Sequence, residues 1–156
     1  MSHTCSTEVV AYKKDLDESQ RDLPVPASRP KADGKGVVYA AQAFNVPTDE
    51  DTPLVGYIMG NLTMPPKSVK DAEAVGLCAQ TFTVVSAQRG SVELTFSKPG
   101  EPDHVVDPKT ASRFLLGPGD MFRVPPGNSY RIQNHSKDTK CHLTWTIIRP
   151  MAQPED

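Results

Sequence analysis

The stretch of sequence that decides the fold is Gly119-Asp120-Met121-Phe122-Arg123-Val124-Pro125-Pro126-Gly127-Asn128-Ser129-Tyr130-Arg131-Ile132-Gln133-Asn134. Gly119 suits a turn into a strand, because glycine adopts backbone angles that other residues avoid. Two-residue alternation then places Phe122 and Val124 on one face of that strand. Pro125 and Gly127 favour a tight turn before the next strand begins. The run therefore predicts two short strands joined by a tight turn.

The same alternation of apolar and polar residues occurs along most of the chain. Residues 82–84, 92–96 and 143–147 carry an apolar side chain at every second position, which is typical of half-buried strands. Further candidate strands are residues 37–44, 55–64, 113–116, 121–124 and 129–134. We therefore expect an all-β domain of about eight short strands, arranged as a sandwich or a barrel.

The composition narrows the class of protein. The 156 residues are 37% hydrophobic, which is enough for one core, and the 15 Pro and 10 Gly argue against a helical bundle. The formal net charge of −2 gives no global positive field for a nucleic-acid backbone or an anionic membrane. No apolar run approaches the roughly 18 to 20 residues that span a bilayer, and residues 1–10 lack the pattern of a secretory signal. We expect an intracellular protein.

The start of the chain differs in composition from the rest. A mixed-charge run at residues 13–18 precedes several prolines, and Thr7 is a candidate cap for a short helix. We expect an irregular or short-helical arm over residues 1–36, a folded domain over residues 37–150 and a C-terminal tail over residues 151–156.

The cysteines and histidines form no ligand or disulfide pattern. The cysteines are odd in number and widely separated, which favours free thiols: Cys5, Cys78 and Cys141. The histidines are scattered over the arm, a proline-flanked loop and two later positions: His3, His104, His135 and His142. No two of them have the spacing of metal ligands, so we expect ordinary surface or hydrogen-bonded side chains.

The opening run resembles the second cupin motif, G-x5-P-x-G-x2-H-x3-N. Its matching positions are Gly119, Pro125, Gly127 and Asn134. Tyr130 stands where the motif has histidine, and Gly90 matches the closing glycine of the first cupin motif. Because cupins are jelly-roll barrels, the resemblance implies a cupin-type jelly roll, also called a double-stranded β-helix.

The residues that bind metal in cupins are missing at the expected places. The first motif supplies two histidines and a glutamate, but residues 76–85 contain neither a histidine nor a carboxylate. Tyr130 takes the place of the remaining ligand, whereas a metal site needs about three or four converging donors. We therefore expect no bound metal and no metal catalysis, and the overall interpretation requires no cofactor.

The residue pattern of the run is still more similar to one family of cupins. A phenylalanine, an apolar residue, P-x-G-N and then Y-x-I-x-N resembles the carboxy-terminal cupin of the centromere protein C family. Asn128 and Tyr130 are the most specific part, since Asn128 suits a turn in the left-handed region. Residues 60–67 and 82–93 also resemble that family, and the similarity covers about residues 37–149.

The resemblance implies a function without catalysis. In that family the domain is the homodimerisation module of an inner-kinetochore scaffold, which supports kinetochore assembly and chromosome segregation. It implies a second copy of the chain and other kinetochore proteins as partners, and nucleosome or DNA contacts made outside this fragment. It also implies location in the nucleus at the centromere, with no membrane partner.

Two alternatives remain open at this stage. One is a metal-independent cupin enzyme of the sugar isomerase or epimerase type, with Tyr130 as proton donor, although the sequence shows no convincing partner base. The other is a small-ligand-binding cupin. An apolar filling of the barrel favours the scaffold, and its expected members are Phe82, Val84, Leu94, Phe122, Ile132 and Trp145. An open polar cavity favours ligand chemistry.

The outward residues of two strands are candidates for a dimer contact. Placing Leu143, Trp145 and Ile147 inward leaves a weakly polar set outward, which suits a flat interface. This candidate dimer face consists of Thr83, Val85, His142, Thr144, Thr146 and Ile148.

The missing ligands generate a first prediction. The purified protein should contain no stoichiometric transition metal, as measured by elemental analysis. One equivalent of metal, whose removal by a chelator unfolds the protein or abolishes an activity, would contradict the scaffold interpretation.

Overall fold

The computed structural model describes residues 9–24, 36–100 and 105–151. These residues form one short helix and ten strands, in the order α1 Lys13–Glu18, β1 Arg21–Asp22, β2 Tyr39–Val46, β3 Tyr57–Met64, β4 Val69–Ala74, β5 Ala79–Ser86, β6 Val92–Ser97, β7 Ser112–Leu116, β8 Met121–Val124, β9 Ser129–Asn134 and β10 Cys141–Ile148. None of the helical residues described forms a segment long and apolar enough to cross a membrane.

The strands form two antiparallel sheets. One has six strands in the order β1-β2-β3-β10-β5-β8, and the other has four in the order β4-β9-β6-β7. Strands that are adjacent in each sheet are often distant in sequence, as in a jelly roll. The expected all-β jelly roll is confirmed.

The core lies between the two sheets and follows the two-residue alternation of the strands. Phe82 stacks on Phe122 with ring centroids 4.6 Å apart, and it meets the tilted ring of Tyr130 at 5.4 Å. Each fully buried large apolar side chain contributes about 1.5 to 3 kcal/mol to stability. Further members of this core cluster are Leu62, Met64, Val84, Val92, Leu94, Val124, Ile132 and Leu143.

The structure contains two strands that the sequence pattern did not reveal, β1 and β4. The β4 sequence, Val-Lys-Asp-Ala-Glu-Ala, is mostly polar, so no apolar alternation marks it. It pairs with β9 all the same, with a register irregularity between Lys70 and Glu73. The expected number of about eight strands was therefore too low, because tertiary pairing outweighed local composition.

The turn glycines adopt left-handed backbone angles. Gly90, Gly119 and Gly127 have φ of 71°, 88° and 76°, a region that is strained for residues with a Cβ. The expectation that Asn128 holds the turn in this region was wrong, since Gly127 does so. The amide of Asn128 instead donates to the carbonyl oxygens of the two preceding prolines, at 3.1 and 3.2 Å.

Asn134 joins three segments at one end of the barrel. Its side chain is fully buried, and its amide nitrogen donates to the backbone oxygens of Met64, Pro65 and Thr139 at 3.1, 3.2 and 3.0 Å. Its side-chain oxygen accepts a hydrogen bond from the Ser136 backbone at 3.1 Å. Because every polar atom of this buried amide is paired, Asn134 stabilises the loops after β3 and β9.

The end of the arm is attached to the six-stranded sheet. β1 pairs with β2, and the Leu23 backbone donates to Val38 oxygen at 2.7 Å, which lets Leu23 pack against the core. The helix α1 begins after Tyr12 without a side-chain cap, and the predicted cap Thr7 lies outside the described residues.

Gly60 provides a test of the packing on β3. A Cβ at this position would lie 2.5 Å from Cζ2 of Trp145 and would also collide with the carbonyl oxygen of Ala41. Gly60→Ala should lower the free energy of unfolding by about 1 to 3 kcal/mol, as overpacked core substitutions do. The control Gly100→Ala, whose nearest atom would be at 3.4 Å, should be much milder in urea unfolding. Equal stability of the two variants would contradict this packing.

Candidate functional site

A polar cluster occupies one side of the barrel interior, around the residue that replaces the motif histidine. Tyr130 on β9 is fully buried, and its hydroxyl donates to Oε2 of Glu73 at 3.4 Å. The Gln80 side chain also hydrogen-bonds to the phenol. A buried hydroxyl without partners would be costly, so these contacts make the burial of the ring possible.

Lys70 completes the cluster. Its ammonium lies 2.8 Å from Oε2 of Glu73 and 4.5 Å from the centre of the Tyr130 ring. The Lys70 side chain is 11% exposed and that of Glu73 is 61% exposed, so the pair spans from the interior to solvent. The ring face and the carboxylate both attract the Lys70 ammonium.

The irregularity in β4 explains how these two side chains meet. Residues three apart in a regular strand point to opposite faces. Here the register with β9 shifts between Lys70 and Glu73, which places Glu73 opposite Tyr130 and Lys70 opposite Ile132. Both charged side chains of the pair therefore reach the same phenol.

The sequence interpretation missed this cluster. It found no carboxylate in residues 76–85 and no partner for Tyr130, whereas the structure supplies Glu73 and Lys70 from the preceding strand. The one local signal was the polar composition of residues 69–74, which instead concealed the strand.

The environment of Tyr130 fixes its protonation state. Burial raises the pKa of Tyr130 well above its ordinary value, and the negative charge of Glu73 and the hydrogen bond to it raise it further, while the Gln80 hydrogen bond opposes the shift. At neutral pH the phenol is therefore a hydrogen-bond donor and not a base.

A small cavity of about 140 Å³ adjoins the cluster. Its polar lining residues are Lys70, Glu73, Gln80 and Tyr130. Its apolar lining residues are Leu23, Ala40, Leu62, Phe82, Trp145 and Ile147. The expected apolar filling thus accounts for most of the barrel, but the interior also keeps a polar corner.

The remaining candidate ligands stay apart. No three histidine, cysteine or acidic side chains come together to hold a metal within the described ranges 9–24, 36–100 and 105–151. His135 lies 3.2 Å from Glu93, and burial raises the pKa of the Cys141 thiol to about 12. Cys78 is half-buried. The other members of the sequence-based set lie outside the described residues, namely Cys5, His3 and His104.

The candidate dimer face lies on the outside of the six-stranded sheet. In β10, Thr144 stands between Asn61 and Thr83, and the next outward residue, Thr146, stands between Met59 and Thr81. The outward end residue of β10 is Ile148, which pairs with Tyr57 and Ala79. Val85 on β5 is 56% exposed.

His142 marks the end of this face nearest the arm. Its Nδ1 lies 3.1 Å from the Thr63 hydroxyl. Burial lowers its pKa, and the positive charges of Lys140 and Lys13 lower it further, with Asp17 opposing them. Because its pKa is lowered below the ordinary value, the histidine is neutral near pH 7.

Substitutions at Tyr130 test the cluster. Tyr130→Ala should lower the free energy of unfolding by about 2 to 4 kcal/mol, as large-to-small core changes do. Tyr130→Phe keeps the ring, so it should lower the free energy of unfolding by less.

The parent protein and Tyr130→Phe should also differ in stability at alkaline pH. Because the pKa is raised in the folded state, the parent should lose stability as the pH rises above about 10, where the unfolded phenol ionises. Tyr130→Phe should lose less over that range in urea unfolding. A Tyr130→Ala variant as stable as the parent would contradict a core role.

Comparison with known proteins places this geometry in a fold. No protein-family model and no curated protein matches the sequence. The cupin domain of CENP-C from Drosophila melanogaster is 15% identical, with a TM-score of 0.52, and the match covers 94% of this chain and 83% of that one.

Other similar structures come from enzymes and storage proteins. A predicted oxalate decarboxylase from Thermotoga maritima is 14% identical, with a TM-score of 0.56 over 91% of this chain and all 100% of that one. Vicilin from Corylus avellana (hazelnut) is 18% identical, with a TM-score of 0.53 over 89% of this chain and 33% of that one. Identities this low establish the fold alone: the chain is a cupin-type jelly roll.

Proposed function

We propose that this cupin is a non-catalytic homodimerisation domain of a centromere protein C-like scaffold. The observation that carries the proposal is the outer face of β3, β10 and β5, whose outward side chains include none with a formal charge near pH 7. They are Tyr57, Met59, Asn61, Thr63, Ala79, Thr81, Thr83, Val85, His142, Thr144, Thr146 and Ile148. Within the chain itself Thr63 is already buried and the Gln20 amide donates to Asn61 Oδ1 at 3.5 Å, so a second copy would contact the remaining residues of this face. Charged residues make up 23% of the chain, so their absence across three adjacent strands favours a buried use of this face.

The chemistry of the face suits contact with a second copy. A two-fold axis brings each residue against the same patch, so any charge in the patch would meet a like charge. An uncharged surface avoids that repulsion. Met59 and Ile148 are 39% and 37% exposed, and they add apolar area beside the threonines. His142 itself is neutral, but the charges of Lys13 and Asp17 act on that end of the face, so the proposed contact lies toward Thr146 and Ile148.

The identity of the scaffold is supported by the sequence motif. Asn128 and Tyr130 give the motif the form of the centromere protein C cupin, and a CENP-C cupin domain is among the structures with this fold. We extend the proposal to a nuclear location at the centromere, to kinetochore partners and to a role in chromosome segregation. The division into an arm at 1–36, a cupin at 37–150 and a tail at 151–156 belongs to the same proposal.

The interior argues against the isomerase alternative. Typical ligand sites have volumes of roughly 300 to 1,000 Å³. The cavity beside Tyr130 has about 140 Å³, which is below this range. The adjoining groove of about 390 Å³ shares Leu23, Ala40 and Trp145 with it, but no histidine or carboxylate among the described residues lines that groove to act as a base. The protonated phenol can donate a proton, but its hydrogen bond already goes to Glu73.

A pair of charges on the candidate dimer face tests the proposal. The unmodified chain should be a dimer, and Val85→Glu combined with Thr144→Glu should give a folded monomer, because two-fold symmetry doubles the introduced charge. Sedimentation velocity gives the mass and circular dichroism gives the fold.

The matched control places the same two charges elsewhere. Thr110→Glu combined with Leu115→Glu alters two exposed positions, one in a loop and one on the four-stranded sheet, and should leave the dimer intact. A dimer that persists in the first variant, or dissociation in both, would rule out this face.

A further inference from the structure

We propose that the barrel interior binds a small neutral molecule with one hydroxyl or carbonyl group and an apolar body, about six heavy atoms in all. The site is the 140 Å³ cavity between the polar cluster around Tyr130 and the tryptophan of β10. The inference does not depend on dimerisation, because all the lining residues belong to one chain.

The size of the cavity sets the size of the ligand. An engineered apolar cavity of about 150 Å³ in another protein takes up benzene. The present cavity has a similar volume but is partly open to solvent, so it admits a compact molecule of about that size. The cavity is too small to enclose a nucleotide or a peptide.

The two sides of the cavity set the chemistry of the ligand. Phe82, Trp145 and Ile147 provide an apolar wall for a hydrocarbon body. Lys70 reaches the cavity from the facing sheet and Gln80 lies beside Ile147 on the same sheet. Both carry N–H donors, and a lysine ammonium has three of them. An oxygen on the ligand would accept a hydrogen bond from one of these donors while the body stays on the apolar wall.

The charges of the cluster favour a neutral ligand. Lys70 and Glu73 form an ion pair at 2.8 Å, so their charges largely cancel. An anionic ligand would meet the carboxylate of Glu73, and a cationic one would meet the ammonium of Lys70. Removing either charged ligand from water costs free energy, and the neutralised ion pair does not offset this cost.

The arm borders the entrance. Leu23 and Ala40 line this cavity and also a neighbouring groove that contains Ser19 and Gln42. Leu23 follows the two-residue strand β1, which is the shortest in the six-stranded sheet. Local opening of so short a strand would give a small molecule access to the interior.

Three probes of six heavy atoms each test the proposal: cyclopentanol, benzene and butyrate. Trp145 is the one tryptophan of the chain and lines the cavity, so its fluorescence reports on occupancy. Cyclopentanol should shift that fluorescence saturably and raise the melting temperature. Benzene lacks the oxygen and butyrate carries a charge. Each should therefore bind with an affinity at least about tenfold lower than that of cyclopentanol.

Variants locate the binding. Ala40→Leu should fill the cavity and abolish the response, and Lys70→Met should reduce the preference for cyclopentanol over benzene. Leu115→Ala, on the exposed side of the other sheet, is the control and should respond like the parent. If Ala40→Leu does not fold, Leu62→Phe fills the same space from β3.

Several results would overturn the proposal. These are no response to any probe up to its solubility, benzene binding as tightly as cyclopentanol, butyrate binding more tightly than either, or an unchanged response in a folded Ala40→Leu protein. None of them affects the dimer proposal, which is judged by mass and not by fluorescence.

Discussion

The burial of the Tyr130 phenol is the constraint on which the rest of the structure depends. A fully buried hydroxyl needs hydrogen-bond partners, and it receives them from Glu73 and Gln80. Its ring fills the middle of the barrel against Phe82, and the Lys70 ammonium lies over the ring face. One residue thus joins the aromatic core to the polar corner, and it does so at the position where related motifs place a histidine.

This arrangement restricts what the middle of the barrel can bind. A barrel filled by aromatic rings and a neutralised ion pair has little space for large substrates, and what space remains suits only a compact molecule. The uncharged outer face of β3, β10 and β5, where the arm leaves it open, is then the feature without an explanation in a single chain. The proposed second copy would account for both its lack of charge and its exposed Met59 and Ile148.

The sequence predicted the parts of the fold in which local pattern and tertiary pairing agree. Alternation identified β5, β6 and β10, and the motif identified β8, β9 and their turn. It failed where charged side chains serve the interior: β4 looks like a loop because Lys70 and Glu73 are usually surface residues, and only the strand irregularity turns both toward Tyr130. Asn128 was misassigned because its neighbour Gly127 takes the strained angle at lower cost. A contact between distant strands leaves no mark at short range.

The most direct test of the account is the mass of the unmodified chain in solution. Sedimentation equilibrium at tens of micromolar, a working range of about that order for a stable dimer, should give twice the chain mass of 17.0 kDa. A mass of one chain throughout that range would contradict the central claim that the uncharged sheet face joins two copies.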